Sequence, residues 1–387
     1  MGSEGFEPPP TPPPSCDSGG SVGSAEGMMS RCAPHVLRSR NEIMKANLDN
    51  PSENMTPRQA RREFLKARRG NVKESSFRTY KYPTQHFIEF CEENEIDTIG
   101  KVGGYIIESW KQNRKQEDIT QMTLHNNAKT LRVFIRWCEK AELLDRGTAD
   151  RMEIPEVTKE QAVSNEKVPL EQAEQILRYL NTYEYASRRH ALFKTMWHTG
   201  CRISGAIALD VDDIVSDQKT TVLQFRNRKV QGTPLKNGND SERNVSLTED
   251  IHGVLVDYIE GKRPDVTDEY GREPLFCTDL QRIERQRAYK NFTALSRPCM
   301  VTNSCPHDRE KDHCDAAQKK KESFGCPSSK SLHPIRRGSI TYHIDRGWPK
   351  EKLSERVDVS VEVLNKHYDA RSKEQEREGR EQFLDLL

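Results

Sequence analysis

Apolar residues recur three or four positions apart through most of the chain, the spacing that gives a helix one water-shielded face. Phe77, Tyr80, Phe87, Phe90 and Cys91 share such a face in a helix expected to start near Ser75, and Leu124, Ala128, Leu131, Ile135 and Cys138 do so over about 120–140. Ahead of them, TPRQARREFLKARRG offers Thr56 as an N-cap, Pro57 at the first helical position and Gly70 as a stop. Asn94 and the Gly103, Gly104 pair interrupt the pattern, so 56–158 is expected to form four or five short helices. Helical spacing resumes over 170–181 and 186–199, the latter ending at Gly200. Near Thr220 the period changes: TTVLQFRN and ERNVSL are short β-branched runs flanking QGTPLKNGND, the pattern of a hairpin or small antiparallel sheet. From Gln281 the spacing is helical again, around a polar stretch rich in cysteine. The expected fold is mainly α with a small antiparallel β-sheet. It divides into a helical domain at 56–158, a polar linker at 159–168 and a second domain at 169–370. Residues 1–55, with six prolines between Pro8 and Pro14 and a Ser/Gly-rich run behind them, read as a disordered tail, and 371–387 as a C-terminal tail.

Composition removes some classes. No apolar run approaches the roughly 18 to 20 residues that span a bilayer, and the opening MGSEGFEPPP has neither a basic nor an apolar leader region, which points to a soluble, intracellular protein. The totals, 61 Lys+Arg against 60 Asp+Glu, argue against a nucleic-acid partner until they are resolved along the chain. Between Arg58 and Lys81 nine basic residues face two acids, and between Arg282 and Lys350 fifteen face seven. Two basic regions of that size suit contacts to duplex DNA whose affinity falls steeply with salt.

Four polar features stand out in chain order: Arg202 in HTGCRISGAIALDVDDI, Lys236 between the two β runs, His333 with Arg336 in SLHPIRRGSITYH, and Tyr368 in VLNKHYD. Together and in this order they resemble the tyrosine recombinase family, the integrases and Xer-type site-specific DNA recombinases. Thr199, Gly200 and Arg202, followed by Leu209 and Val211 to Asp213, are similar to that family's first-arginine turn and the segment behind it. Glu242, Arg243, Val245 and Leu247 resemble the strand that follows its catalytic lysine, which places Lys236 in that role. His333-Pro334-Ile335-Arg336 matches its H-x-x-R motif and Tyr368 its nucleophile. The likeness covers about 165–370, and the helical domain ahead of it takes the position of the family's core-binding domain.

The resemblance implies a site-specific recombinase that cuts and rejoins double-stranded DNA through a covalent 3′-phosphotyrosyl intermediate, within a tetramer that passes through a Holliday junction. It implies a cytoplasmic, nucleoid-associated protein of prokaryotic, viral or mobile-element origin, with a C-terminal tail exchanged between protomers. The chemistry suits the residues. Arginine's planar, permanently charged fork can neutralise phosphate oxygens without a metal, which fits Arg202 and Arg336. Positions 333 and 336 fall on one helical face. Tyr368 supplies the nucleophile, Lys236 a proton for the departing 5′ oxygen, and His333 an acid/base or a phosphate donor. Two positions depart from the family: Val359 stands where a second His or Trp is usual, nine residues before Tyr368, and Gly205 where an acid often follows the first arginine by three. On a helix His367 would point about 100° away from Tyr368, a poor substitute for that second His. The alternatives are a type IB topoisomerase-like enzyme and a catalytically idle, integrase-derived DNA-binding protein.

The stretch 297–330 carries Cys299, Cys305, Cys314 and Cys326, with five, eight and eleven residues between them, and also His307 and His313. It has few apolar residues to hold it together, so a structural zinc on the four thiols is expected, with either histidine as a replacement ligand. The recombination chemistry itself needs no cofactor.

Overall fold

The computed structural model describes residues 50–72, 74–158, 161, 166–217, 219–368, 377 and 381, without the side chains of Glu74, Ser75 and His367. Residues 1–49, all of 371–387 except 377 and 381, most of the linker and the orientation of His367 lie outside the described residues, while the end of the expected N-terminal tail is instead helical at Pro51–Asn54. The chain forms two units, Met1–Val157 and Thr158–Leu387.

The first unit is helical throughout: α1 (Pro51–Asn54), α2 (Pro57–Arg68), α3 (Glu74–Glu93), α4 (Gly104–Gln116), α5 (Gln121–Lys140) and α6 (Thr148–Arg151). α2 starts where Thr56 and Pro57 direct it. The Thr56 hydroxyl accepts the Gln59 N–H while the Gln59 side chain accepts the Thr56 N–H, so two donors that a helix end leaves unmet are satisfied. Leu124, Ala128, Leu131, Ile135 and Cys138 of α5 are all buried, as their spacing requires. They close on an aromatic centre in which Phe64 meets Phe134 edge-on at 5.3 Å and Phe87 meets Trp110 at 5.9 Å.

The second unit contains α7 (Leu170–Tyr183), α8 (Arg188–Thr199), α9 (Ile203–Ala208), β1 (Ile214–Ser216), β2 (Thr221–Phe225), β3 (Arg243–Leu247), α10 (Glu249–Gly261), α11 (Arg285–Leu295), α12 (Pro298–Val301), α13 (Asp315–Gln318), α14 (Leu332–Asp345), α15 (Lys350–Val357) and α16 (Val361–His367). The sheet runs β1-β2-β3, antiparallel throughout, with Leu223 opposite both Ile214 and Val245. β2 and β3 fall on the two β-branched runs, while the three-residue β1 is too short to show an alternation. α8 begins two residues later than its apolar spacing suggests. Ala186 takes a left-handed φ of 50°, and the Ser187 hydroxyl then caps the helix by accepting the His190 N–H at 3.2 Å.

Between β2 and β3 the expected turn is a long loop, 226–242, stitched by side chains. Arg228 holds the buried Asp213 at 2.5 and 2.9 Å, and Arg272 donates to the Thr233 hydroxyl at 2.9 Å and the Gln231 carbonyl at 2.8 Å. A 3-10 turn at Gly238–Ser241 returns the chain to β3. The main core lies around α8 and α14, with Phe193, Trp197 and Phe292 at its centre. A smaller apolar cluster of Ile340, Ile344, Leu353, Val357, Leu364 and Tyr368 joins α14, α15 and α16. Among the described residues no helix is long and apolar enough to cross a membrane.

Candidate active site

Three helix ends and one helix face deliver the polar residues. Gly200 closes α8 at φ 60°, a conformation glycine adopts without strain, and the reversal makes Arg202 the N-cap of α9. His333 and Arg336 lie one turn apart on α14, and Tyr368 caps the C-terminus of α16. Arg202, His333, Arg336 and Tyr368 line one cleft of about 650 Å³, together with Arg243 and Val359. Lys236 is exposed in the 226–242 loop; its neighbour Asn237 lines the cleft, and Lys236 does not.

Arg336 is almost wholly buried and rigidly held. Its Nη1 donates to the Gly200 carbonyl at 2.7 Å and its Nη2 to the Asp358 carbonyl at 3.4 Å. Burial, then the Arg202 charge, push this guanidinium down to about 10, which leaves it cationic at neutral pH. Arg202 pairs through Nη1 with the Asp358 carboxylate. Arg243 is also lowered, chiefly by burial; it stacks over Phe225 at 4.1 Å and donates from Nε to the Arg356 carbonyl at 2.7 Å. The His333 residue is exposed, yet its ring is held below the usual histidine range by partial loss of solvent and then by the Arg336, Arg337, Arg202 and Arg285 charges. The imidazole is therefore neutral near pH 7 and able to accept a proton. Tyr368 is buried, and the Arg337 guanidinium sits 5.2 Å from its ring centroid.

Val359 presents only an aliphatic side chain to the cleft, so the position of the usual second His or Trp offers no donor. Gly205 lies in α9 against Phe225 and offers no acid. Asp358, Arg243 and Arg337 are the neighbours that reading the sequence missed. Arg243 stands inside the quoted ERNVSL motif and Arg337 directly follows Arg336, so both had a local signal. Asp358 had none, because its partner lies 156 positions away.

The cysteine stretch is held by hydrogen bonds. The Lys330 backbone N–H donates to the Ser296 hydroxyl at 2.6 Å and that hydroxyl donates to the Lys330 carbonyl at 3.1 Å, which closes the segment at its base. The buried Arg297 donates to the Ala294 carbonyl at 2.9 Å and to the Ala316 carbonyl. Cys299 is buried and its thiol is pushed up by that burial, while Cys314 is lowered, first by the Ala317 N–H. His307 meets the Ser328 hydroxyl at 2.9 Å and His313 meets Glu310 at 2.7 Å. Among the described residues no three His, Cys, Asp or Glu side chains are arranged to hold a metal ion. The basic run of the first unit is also partly engaged: Arg58 pairs with Glu92, Arg61 binds Thr84, and Arg68 lies over Phe64 and Tyr80. Arg62, Lys66, Arg69 and Lys81 stay exposed.

Two further histidines give the fold a pH dependence. Burial is the main cause that lowers His190 and His198 to about 4. Since both favour the neutral ring when folded, their stabilising effect is complete above the unfolded value of about 6.5 and is lost as pH falls from there toward 4. The melting temperature is expected to decline over that interval, and His198→Gln to flatten the decline. An equal slope in the variant would remove His198 as a cause.

A family model described as the phage integrase family matches residues 166–308, a stretch that includes Arg202 and Lys236 and ends before His333. Among solved structures, the Tn1549 transposon integrase in complex with transposon right end DNA is similar at a TM-score of 0.58 and 16% identity, over 85% of this chain and 99% of that one. The same integrase in complex with a circular intermediate DNA reaches 0.61 at 15% identity with the same coverage. XerH site-specific recombinase bound to difH substrate reaches 0.57 at 14% identity, over 89% of this chain and 90% of that one. At such identities the shared property is the fold. No curated protein matches the sequence.

Proposed function

We propose that this chain is a site-specific DNA recombinase that uses Tyr368 as its nucleophile, a reading supported by the phage integrase family match at residues 166–308 and by the fold shared with solved recombinases. The observation that carries the reading is the convergence of Tyr368, Arg202, Arg336 and His333 on one cleft. The Tyr368 Oη attacks the scissile phosphorus, passing its proton to the neutral His333. The bond from phosphorus to the 5′ oxygen breaks, and Lys236 protonates the leaving oxygen. Arg202 and Arg336 neutralise the phosphate oxygens as charge grows on them. The 3′-phosphotyrosyl link retains the bond energy, and a 5′-hydroxyl from the partner duplex reverses the step to complete strand exchange.

Lys236 has to reach the cleft from its place in the 226–242 loop for its part. Exchange between two duplexes needs four active sites, so the working form is a tetramer that passes through a Holliday junction in the cytoplasm, at the nucleoid. The test is a nicked duplex taken from the DNA flanking the gene, which traps the intermediate because the short cut strand diffuses away. A protein–DNA adduct resistant to denaturant supports the proposal. Tight binding without an adduct would sink it and leave a DNA-binding protein derived from an integrase.

Structural zinc on Cys299, Cys305, Cys314 and Cys326 is a separate part of the proposal, supported by the density of thiols in a polar segment and not by their arrangement. Metal analysis of the purified chain is expected to find one zinc ion, with melting lowered after chelation. Metal-free protein with unchanged melting rejects it.

A further inference from the structure

We infer that Asp358 is the positioning residue of the arginine clamp, holding Arg202 with its carboxylate and Arg336 with its carbonyl. This deepens the recombinase reading and rests on it.

The geometry is specific. The Asp358 Oδ2 accepts Arg202 Nη1 and also the hydroxyl of buried Ser241 at 2.8 Å, while Oδ1 accepts Asn237 Nδ2 at 3.3 Å. Three donors fix the carboxylate, and the carboxylate in turn fixes one edge of the guanidinium. Among the described residues Arg202 makes no other side-chain hydrogen bond, so Nε and Nη2 are left for a phosphate oxygen. A long arginine otherwise samples many rotamers, and ordering it in advance lowers the entropy lost when substrate arrives.

Position matters as much as charge. Asp358 ends α15 at φ 54° and ψ 60°, a left-handed conformation that aspartate tolerates better than most residues. The bend sends α16, and with it Tyr368, back toward the cleft. Its carbonyl faces Arg336 Nη2 at 3.4 Å, so the residue that introduces the nucleophile's helix touches both arginines. It also supplies negative charge to a site where the Arg202 charge lowers both Arg243 and Arg336. An acid thus reaches Arg202 from the far end of the domain, while Gly205 offers none.

Three variants separate this role from packing. Asp358→Gly accepts the left-handed backbone and keeps the carbonyl, Asp358→Asn keeps the shape without the charge, and Asp358→Glu keeps the charge. On the nicked flanking-sequence duplex at saturating DNA, Gly and Asn variants are expected to form adduct about 10- to 100-fold more slowly, with DNA affinity within about twofold of the parent and partial recovery in Glu. Adduct formation at the parent rate or faster in folded Asn or Gly variants overturns the inference, the faster result meaning that the carboxylate competes with phosphate. A DNA-free measurement keeps the two readings apart. Inorganic phosphate should raise the parent's melting temperature through Arg202, less so in the Asn variant and in an Arg202→Ala control. If the parent forms no adduct but phosphate protection still depends on Asp358, the recombinase reading fails and the assignment stands. If protection is unchanged or stronger in the Asn variant, the assignment fails.

Discussion

Tyr368→Phe is expected to abolish covalent capture of DNA while leaving the fold and DNA affinity intact. The substitution removes one oxygen from a side chain whose ring does the packing. That ring belongs to the cluster with Ile340, Ile344, Leu353, Val357 and Leu364, and it faces Arg337 at 5.2 Å. Phenylalanine retains both contacts, so melting should move by no more than a degree or two. What disappears is the phenolic oxygen proposed to form the phosphotyrosyl bond, and nucleophile removal in a covalent mechanism costs at least about 1,000-fold. Adduct on the nicked duplex should fall below detection in Tyr368→Phe and remain strong in the parent. Adduct persisting in the variant would assign the chemistry to another residue. The same material distinguishes recombination from topoisomerase activity: strand exchange should require two copies of the site, whereas relaxation of any supercoiled plasmid by a monomer would favour the type IB alternative.

Gly338→Ala is expected to be the most damaging small substitution in the second unit. A Cβ on this residue would stand 2.1 Å from the Val168 carbonyl oxygen and 3.0 Å from the Trp197 ring. The first contact is with main chain, and Val168 is itself buried and donates its N–H to the Pro334 carbonyl at 3.0 Å. Relief requires α14 to move away from α8 and from the segment leading into α7. Overpacking in a dense core costs about 1–3 kcal/mol and more where backbone must shift, so a loss of about 3 kcal/mol or greater is expected despite alanine's better helix propensity. His333 and Arg336 ride on the same helix. Denaturant melts measure the loss, and adduct rates at a temperature where the variant is still folded should fall with it. A variant as stable as the parent would show that the close approach of α14 is not needed.

The fold was legible where one local rule governs each element. Thr56 and Pro57 start α2, Gly200 ends α8, and the spacing of Leu124 to Cys138 selects the buried face of α5, because capping and amphipathicity act over one or two turns. The β2 and β3 strands follow from their β-branched runs. The 226–242 loop was not legible as such, since Asp210, Asp213, Arg228 and Arg272 form it through pairings across the domain. The cysteine stretch carries the same lesson. Its thiols are dense in sequence, yet Ser296, Arg297 and Lys330 hold the segment.

For the site, the order of motifs and their resemblance to tyrosine recombinases picked out the candidates Arg202, Lys236, His333, Arg336 and Tyr368, and the spacing of positions 333 and 336 put that pair on one helix face. Only the tertiary structure decided how they are held. It brought Asp358 to Arg202, set the Gly200 carbonyl on Arg336, laid Arg337 over Tyr368, and left Lys236 beside the cleft instead of in it. The physical reason is range. Capping, periodicity and residue chemistry are written within a few positions, whereas hydrogen bonds and charge pairs between residues more than a hundred positions apart exist only after the core has closed and brought their elements together.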